Sequence, residues 1–262
     1  MESRNTLVTE TMPVRRGDYQ FLPYGMHHLW RNYLRVFRPG KFNKFKEQRY
    51  RSMSDPHSCR PFDQYRCIFV HIPKCAGISV SRSLFGNVSG AHHSIRKFQI
   101  MFAPDEFAEY FKFTFVRNPW DRLVSAFHFL KKGGLTVQDK DWSDRYLAPY
   151  PDFEAFVRNG IQHRRIFDFP HFRPQYTYIC LFGRQPAMNF IGHFENLSRD
   201  FDYICQTLKL DTSLKSLNRN PDRESDFRKY YTNETRDIVG RVYADDIQML
   251  GYTFDRPHPS TA

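Results

Sequence analysis

The strongest constraint on the fold is a buried strand that runs directly into a tight loop and a helix. Residues 65–72, YRCIFVHI, form a short apolar, β-branched and aromatic run that ends at Pro73. Such a run is typical of a buried parallel strand that stops at a turn. The segment ISVSRSLFG then places its apolar residues at helical spacing and closes on Gly86, a natural helix stop. Residues 65–86 therefore predict a strand, a loop and a helix in that order.

The same order of elements occurs twice more. FKFTFV (111–116) predicts a strand, and Pro119 suits the first turn of the helix that follows. MNFIGHFENLSRDFDYICQTLKL (188–210) predicts a third strand and a third helix. Repeated strand-then-helix order favours an α/β domain with a central parallel sheet flanked by helices on both sides. We also expect one long final helix within 232–252, capped by Thr232 or by the asparagine after it.

Basic residues are concentrated near the N-terminus. The chain carries a net charge of +11 over 262 residues, and +7 of it lies in residues 1–51. Aromatic and basic residues interleave across 20–51, where the spacing before Pro39 predicts a short amphipathic helix. We expect residues 1–60 to form a basic, aromatic extension and residues 61–262 to form the α/β domain. The extension would contact a membrane surface or an anionic polymer, or it would pack on the domain with its charges in water.

The cysteines and the absence of long apolar runs indicate in which cellular compartment to expect the protein. All five stand without a C-x-x-C pair, so the sequence predicts neither a zinc site nor a complete disulfide framework, and reduced thiols are expected. No apolar run approaches the roughly 18 residues of a membrane span, and residues 1–30 lack the apolar core of a signal peptide. We therefore expect a cytoplasmic protein, with the Golgi lumen as the alternative if the sequence is a fragment of an anchored one.

The first loop, HIPKCAGIS (71–79), has the parts of an anion site. In open parallel sheets, ligands lie where strands lead into helices, and helix N-termini suit phosphate or sulfate. Gly77 would let the backbone approach an anion, while Lys74 supplies a charge and Ser79 a hydroxyl. This is not a standard nucleoside-triphosphate loop, because Lys74 precedes the glycine and G-x-x-x-x-G-K-[ST] is absent. A chance strand–turn–helix is the alternative explanation.

The second loop supplies a matching set. FVRNPWDRLVSAF (115–127) puts Arg117 at the end of a strand and Ser125 two turns into the next helix. Arg117 could hold a phosphate with a bidentate fork, and Ser125 could add a smaller donor. Arg122 is a helical neighbour of Ser125, but for this residue we favour an ion pair with Asp121 or another acid.

With these two segments the sequence resembles the sulfotransferases that use 3′-phosphoadenosine 5′-phosphosulfate (PAPS). HIPKCAGIS looks like their 5′-phosphosulfate loop and FVRNPWDRLVSAF like their 3′-phosphate motif. The most similar branch is the carbohydrate sulfotransferases, whose loop reads P-K-C-A-G-T-S; here Ile78 replaces the threonine and its hydroxyl. HFRPQ (171–175), GHFENLSRDF (192–201) and DIQMLGY (246–252) extend the similarity over about residues 66–254, and the resemblance implies a single P-loop-like domain.

The resemblance also implies a cofactor site for PAPS, without a metal. The implied cofactor-binding residues are Lys74, Cys75, Ala76, Gly77, Ile78, Ser79, Arg117, Ser125 and, in a late loop, Arg219. Lys74 would stabilise the charge that develops on the bridging oxygen of the leaving nucleotide. For Arg219 a solvated loop is the alternative interpretation.

An acceptor hydroxyl needs a general base, and histidine is the usual choice near neutral pH. His92 and His93 follow the first helix, where the family commonly brings a base, and His93 fits the family pattern better. We predict His93 as the catalytic base, with His171 second. For Glu195, pairing with an arginine such as Arg199 is favoured over a role as a further base.

The expected reaction is sulfuryl transfer from PAPS to a hydroxyl of a carbohydrate or glycolipid acceptor. Trp142, Tyr146 and Tyr150 are available to stack on sugar faces or to join the core. One rival is an ATP-dependent P-loop kinase-like enzyme, which would need magnesium. The other is a non-catalytic basic module that binds glycan or nucleic acid through residues 20–51; the enzyme itself is not expected to bind nucleic acid.

Overall fold

Three parallel strands form the centre of the protein. The computed structural model describes residues 22–181, 183–215, 224 and 226–255. The strands are β1 (Cys67–Val70), β2 (Phe111–Val116) and β3 (Phe190–His193), and they lie side by side in the order β1-β2-β3. Phe113 of β2 pairs with Phe69 of β1 and with Phe190 of β3. The three predicted strands are confirmed.

Thirteen α-helices lie in the part of the chain that the structure describes. They are α1 (Leu22–Phe37), α2 (Pro39–Tyr50), α3 (Arg60–Gln64), α4 (Gly77–Phe85), α5 (Ile95–Met101), α6 (Pro104–Glu109), α7 (Pro119–Lys131), α8 (Val137–Tyr146), α9 (Phe153–Asn159), α10 (Tyr176–Ile179), α11 (Leu197–Leu208), α12 (Asn233–Val242) and α13 (Ala244–Leu250). Short 3₁₀ turns occupy Arg164–Asp168, Phe194–Asn196 and Phe227–Tyr230. Of the helices described, none is both long and apolar enough to cross a bilayer.

Helices cover both faces of the sheet. Successive residues of a strand point to opposite faces, and all four residues of β1 are buried, as are residues 112–116 of β2. One hydrophobic cluster joins the strands to α4, α5 and α11, and a second forms around α7, α9 and α12. This arrangement confirms the predicted α/β class with a central parallel sheet.

Local sequence explains where α4, which follows β1, ends and where α7, which follows β2, begins. Gly86 takes the left-handed conformation just beyond α4, with φ of 75°, which a glycine adopts at little cost. Pro119 opens α7, and the Asn118 side chain accepts a hydrogen bond from the Trp120 amide at 3.1 Å.

The final helix is not continuous. Thr232 is the cap, as predicted, but the chain leaves the helical conformation at Tyr243, where φ is −108° and ψ is 26°. The buried Tyr243 hydroxyl donates to the Phe172 carbonyl at 2.7 Å. The prediction of one helix was therefore wrong: α12 and α13 are separate, and the break sets the direction in which α13 carries Asp246.

The N-terminal helices pack on the domain. Leu34 of α1 and Phe45 of α2 form a small apolar cluster with Ile100 of α5. The helix predicted before Pro39 is confirmed, and its inward side is held by the body of the protein. Residues 1–21 lie outside the described part of the chain, and the domain boundary at residue 60 stays a prediction.

Arg49 is the main polar link between this segment and the domain. Its guanidinium is buried and donates to the Asp63 carboxylate at 3.0 and 2.5 Å and to that of Glu106 at 2.6 and 2.7 Å. A buried cation with two bidentate partners is costly to break, because the remaining carboxylates lose their counter-charge.

We expect Arg49→Ala to lower the free energy of unfolding by about 3 kcal/mol, measured by urea denaturation. Arg66→Ala is the matched control, because Arg66 pairs with Glu109 in an exposed salt bridge. The control should cost less than about 1 kcal/mol. Equal losses in the two variants would contradict the importance assigned to Arg49.

Candidate functional site

The loop between β1 and α4 has an unusual backbone. Lys74 and Ala76 adopt left-handed conformations, with φ of 69° and 60°, and Ala76 is the N-cap of α4. The amide of Val80 donates to the Ala76 carbonyl at 3.1 Å and so makes the first hydrogen bond of the helix. The amides of Gly77, Ile78 and Ser79 consequently have no acceptor within the helix. Such a turn at a helix N-terminus concentrates N–H groups and partial positive charge.

The His71 ring leaves room only for a glycine at position 77. A Cβ atom at Gly77 would lie 1.8 Å from Cδ2 of His71, whose ring is buried beneath the loop. The sequence prediction gave this glycine the task of letting an anion approach. The structure adds that the side of the glycine where a Cβ would project is filled by an imidazole.

Gly77→Ala is expected to lower the free energy of unfolding by roughly 3 kcal/mol, because a buried ring must move to admit the methyl group. Differential scanning calorimetry measures the change. Gly240→Ala, where the nearest atom would be at an ordinary 3.4 Å, serves as the helical control and should be nearly neutral. A stable Gly77→Ala protein would show that His71 can rearrange.

Cys75 points into the protein. Its thiol is buried and donates to the side-chain oxygen of Gln175 at 3.4 Å. Burial raises the pKa of this thiol to about 12, so it stays protonated. Any contact of Cys75 with a ligand would therefore be through its backbone. The other four cysteines are also buried and lie outside any disulfide, and the reduced state of the thiols stays a prediction.

Gln175 ties the loops together and was missed as a functional residue in the sequence. Its side chain accepts from the Arg117 amide at 3.0 Å and donates to the Arg117 carbonyl at 2.8 Å. Its own amide donates to Asp246 of α13 at 2.7 Å, and Asp246 also accepts from the Tyr176 amide at 2.8 Å. Burial raises the pKa of Asp246 to about 6. HFRPQ and DIQMLGY, two segments that carry the resemblance in the sequence, thus meet in one buried network behind the loops.

Arg117 joins the two predicted motifs. Its Nη1 donates to the Lys74 carbonyl at 3.0 Å and its Nε to the Asp121 carboxylate at 2.7 Å, while the guanidinium lies 3.9 Å from the centroid of the Phe194 ring. Burial lowers the pKa of Arg117 to about 10, which leaves the group charged at neutral pH. Within the described chain, no group accepts a hydrogen bond from Nη2, so part of the fork is available to an anion.

The helix after Arg117 orders the neighbouring groups. Asp121 and the half-buried Ser125 are four residues apart on α7, so they lie on the same face of this helix. Because Asp121 binds the Arg117 guanidinium, Ser125 lies on the face of α7 that is turned toward Arg117. Arg122 is fully buried and donates to the carbonyls of Pro73, His171 and Arg173 at 3.0, 3.2 and 2.9 Å. The expected ion pair of Arg122 with Asp121 was therefore wrong, since Asp121 pairs with Arg117 and Arg122 holds three backbone segments in place.

Lys74 lies beside a stack of aromatic rings. Its Nζ is 3.6 Å from the centroid of the Phe129 ring, which stacks on His171 at 5.1 Å. His171 is buried, and its Nδ1 lies 3.9 Å from the Asp139 carboxylate, beyond hydrogen-bond distance. Burial lowers the pKa of His171 well below its ordinary value, so the ring is neutral. The structure thus brings two predicted site residues, Lys74 and His171, to the same ring of Phe129.

His92 belongs to the same cluster. Its ring lies 4.5 Å from that of His71 and 5.8 Å from that of His171. Its Nδ1 is 3.2 Å from the His71 carbonyl, and because a carbonyl only accepts, Nδ1 carries the proton. Burial lowers the pKa of His92, so the ring is neutral at pH 7 and its Nε2 holds a lone pair.

His93 is engaged elsewhere. Its Nδ1 lies 3.2 Å from the ammonium of Lys97 and its Nε2 lies 2.6 Å from the side-chain amide of Gln48. An ammonium only donates, so Nδ1 accepts from Lys97 and Nε2 faces α2. Burial and the Lys97 charge lower the pKa of His93 to about 3. The residue predicted first as the base thus connects α2 to α5, while its neighbour faces the loop.

Glu195, like Gln175 and Asp246, forms hydrogen bonds that hold neighbouring segments together. Its carboxylate accepts from the Asn118 amide at 2.8 Å and from the Tyr252 hydroxyl at 3.0 Å. Arg199 instead pairs with Asp200 at 3.1 Å, so the expected pairing of Glu195 with Arg199 was wrong.

Of the predicted cofactor-binding residues, Arg219 lies outside the described part of the chain. Across the described ranges, no group of three or more histidine, cysteine or acidic side chains is arranged to hold a metal ion.

The aromatic residues between α7 and the buried Gln175 pack mainly on one another. Trp142 stacks on Phe169 at 4.3 Å and contacts Phe172 at 5.5 Å, while Tyr150 packs on Phe156 at 5.6 Å. The sequence left two roles open for Trp142 and Tyr150, stacking on sugar faces or joining the core. These contacts favour the core.

Comparison with known proteins agrees with this geometry. The family model described as "Sulfotransferase family" matches residues 59–253, about three quarters of the chain. Carbohydrate sulfotransferase 11 of Mus musculus is 26% identical over 194 residues, which cover 64% of this chain and 54% of that protein. Carbohydrate sulfotransferase 10 of Xenopus laevis is 24% identical over 233 residues, covering 74% of this chain and 64% of that protein. No solved structure matches significantly.

The matched region contains both loops and the network behind them. It begins just before α3 and ends beyond α13, so it takes in β1 to β3 and every helix from α3 onward. The chain spans between about half and two thirds of the length of these curated relatives. On the family match and the geometry of the two loops, the chain belongs to the sulfotransferase family.

Proposed function

We propose that this protein transfers a sulfuryl group from PAPS to a hydroxyl of a carbohydrate acceptor. The observation that carries the proposal is the contact between the two loops, in which the buried Arg117 donates to the carbonyl of Lys74. Two adjacent parallel strands thus deliver a cationic, N–H-rich helix terminus and a buried guanidinium to the same edge of the sheet. That edge suits a ligand with two separate anionic groups.

The residues present fit PAPS. The backbone amides at the start of α4, with Lys74 and the hydroxyl of Ser79, would bind the 5′-phosphosulfate end. Arg117 and Ser125 would bind the 3′-phosphate, with Asp121 holding the guanidinium in place. Ile78 lacks the hydroxyl of the family threonine, but its backbone N–H is retained, so we expect weaker binding and not its loss.

PAPS supplies an activated sulfuryl group with a good leaving nucleotide. The protein's part is to position the acceptor and to neutralise developing charge. Lys74 places an ammonium where the loop and the Phe129 ring meet, in a half-buried setting that strengthens its electrostatic effect.

We assign the general base to His92. The hydrogen bond from Nδ1 to the His71 carbonyl fixes the tautomer that leaves Nε2 free to accept the acceptor's proton. His93 remains the alternative from the sequence, but both of its ring nitrogens face other partners. His171, beside Phe129, is proposed to shape the acceptor side of the site.

The acceptor class rests on the relatives, whose names describe carbohydrate sulfotransferases. A free carbohydrate and the glycan of a glycolipid present the same hydroxyl chemistry, so both remain within the proposal. A kinase-like enzyme is less well supported, because the loop lacks the Gly-Lys-Ser/Thr order that binds ATP with magnesium.

Calorimetric titration with 3′-phosphoadenosine 5′-phosphate, beside ATP with magnesium, tests the proposal. We expect binding of the bisphosphate and none of ATP, with at least a tenfold loss of affinity in Arg117→Ala. Arg184→Ala is the control, because Arg184 forms an exposed pair with Asp245. Binding of ATP alone would favour the kinase. Binding of neither, with salt-sensitive binding of polyanions, would favour the non-catalytic basic module.

A further inference from the structure

The outward face of α1 is apolar and exposed. Among the described residues ten large apolar side chains are exposed, and five of them lie on this helix: Leu29, Trp30, Tyr33, Val36 and Phe37. At 100° per residue these positions fall within one continuous stripe. Trp30 stacks on Tyr33 at 5.6 Å, and Tyr33 contacts Phe37 at 5.2 Å, so these three rings form a connected ribbon.

The body of the protein fixes the direction of this ribbon. The buried side of α1 carries Leu34, packed against α2 and α5, and His27, whose ring lies 5.5 Å from that of Phe107. Because that side is anchored, α1 cannot turn its apolar stripe inward without losing these contacts. A stripe of this kind is unusual on a surface that only meets water.

The segment that carries the stripe is strongly positive. Between residues 27 and 50 the exposed charged side chains are Arg35, Arg38, Lys41, Lys44, Lys46 and a single acid, Glu47. An apolar ribbon on a segment rich in exposed cations matches the interface of an anionic bilayer, where acyl chains meet acidic headgroups. Aromatic residues such as Trp30 and Tyr33 favour that depth.

We propose that α1 docks its outward face on an anionic lipid bilayer and lies in the plane of the interface. A soluble polyanion would neutralise the cations but leave five apolar side chains in water. A second copy would cover the apolar stripe but would bring two cationic surfaces together. The lipid surface satisfies both features, and this proposal does not depend on the catalytic one.

Vesicle flotation tests the proposal with the full chain. We expect the protein to float with vesicles of phosphatidylcholine containing about 30% phosphatidylserine, and at least about tenfold less with phosphatidylcholine alone. The triple variant Trp30→Ser, Val36→Ser, Phe37→Ser should lose at least about tenfold in partitioning on the anionic vesicles. Replacing Lys41, Lys44 and Lys46 with glutamine should remove most of the preference for anionic lipid.

A matched control separates the face from general surface hydrophobicity. Leu135→Ser, Val137→Ser, Tyr203→Ser removes three equally exposed apolar side chains elsewhere and should leave partitioning unchanged. Circular dichroism melts of all variants check that the fold is retained. Equal flotation of wild type and the Trp30 triple variant would overturn the proposal. So would a wild-type dimer that the same variant converts to monomer without any binding to vesicles, or binding to heparin without binding to vesicles.

Discussion

Lys74→Ala is expected to lower kcat/KM for sulfuryl transfer by about 100- to 1000-fold. In the proposed reaction the leaving nucleotide gains negative charge on its bridging oxygen, and the loop offers a half-buried ammonium held over the Phe129 ring. Without it the charge would develop beside backbone dipoles and the hydroxyl of Ser79. Because Lys74 already adopts a φ of 69°, alanine changes the side chain without adding a new backbone conflict.

Radiolabelled sulfate transfer from PAPS to a panel of glycans measures this effect, and calorimetry with the bisphosphate product separates binding from turnover. Lys140→Ala is the control, because Lys140 forms an exposed salt bridge with Asp144 and should not affect turnover. We expect Lys74→Ala to lose more in kcat than in affinity for the product, because the charge it neutralises is greatest in the transition state. A loss of less than about fivefold in kcat/KM would exclude Lys74 from this role.

His92→Gln is expected to reduce kcat/KM by about 100- to 10,000-fold, the usual contribution of a positioned base. The hydrogen bond of Nδ1 to the His71 carbonyl leaves Nε2 as the acceptor, and glutamine has no comparable basic nitrogen. His93→Gln is the paired variant at the adjacent position. It should cost stability through its contacts with Lys97 and Gln48 and change turnover by less than about tenfold.

The pH profile gives a second measurement of the same base. Burial lowers the pKa of His92, so its neutral form is maintained at pH 7 and kcat/KM should fall only as the pH drops below the ordinary histidine value of about 6.5. That acid limb should disappear in His92→Gln, with the residual rate nearly independent of pH. If His93→Gln shows the larger loss and removes the limb, the base is His93, as the sequence prediction had it.

The strands and the two loops could be predicted because their signals are local. A β-branched run ends at Pro73, a proline follows the second strand at Pro119, and Gly86 closes the first helix. Each of these residues restricts the backbone at its own position, so no knowledge of distant neighbours is needed. The break at Tyr243 was missed because it depends on a hydrogen bond to Phe172, far away in the sequence.

The choice between His92 and His93 could not be made locally. Both follow the same turn, in which Gly90 and Ala91 have positive φ values of 76° and 45°. That turn directs one ring toward His71 and the other toward α2, and the second direction is set by Gln48 on the N-terminal helices. A side chain's partners depend on which elements pack around it, which a single sequence does not report.

The amino-acid sequence by itself determined the parallel α/β class, the two loops proposed here to bind anions and the family that they indicate. It did so because strand length, proline and glycine positions and the order of elements are properties of adjacent residues. Only the tertiary structure decided that Arg117 reaches the Lys74 carbonyl and that Gln175 and Asp246 lock the loops from behind. These contacts join residues 43 to 71 positions apart, and side chains that distant meet only when the whole core has packed.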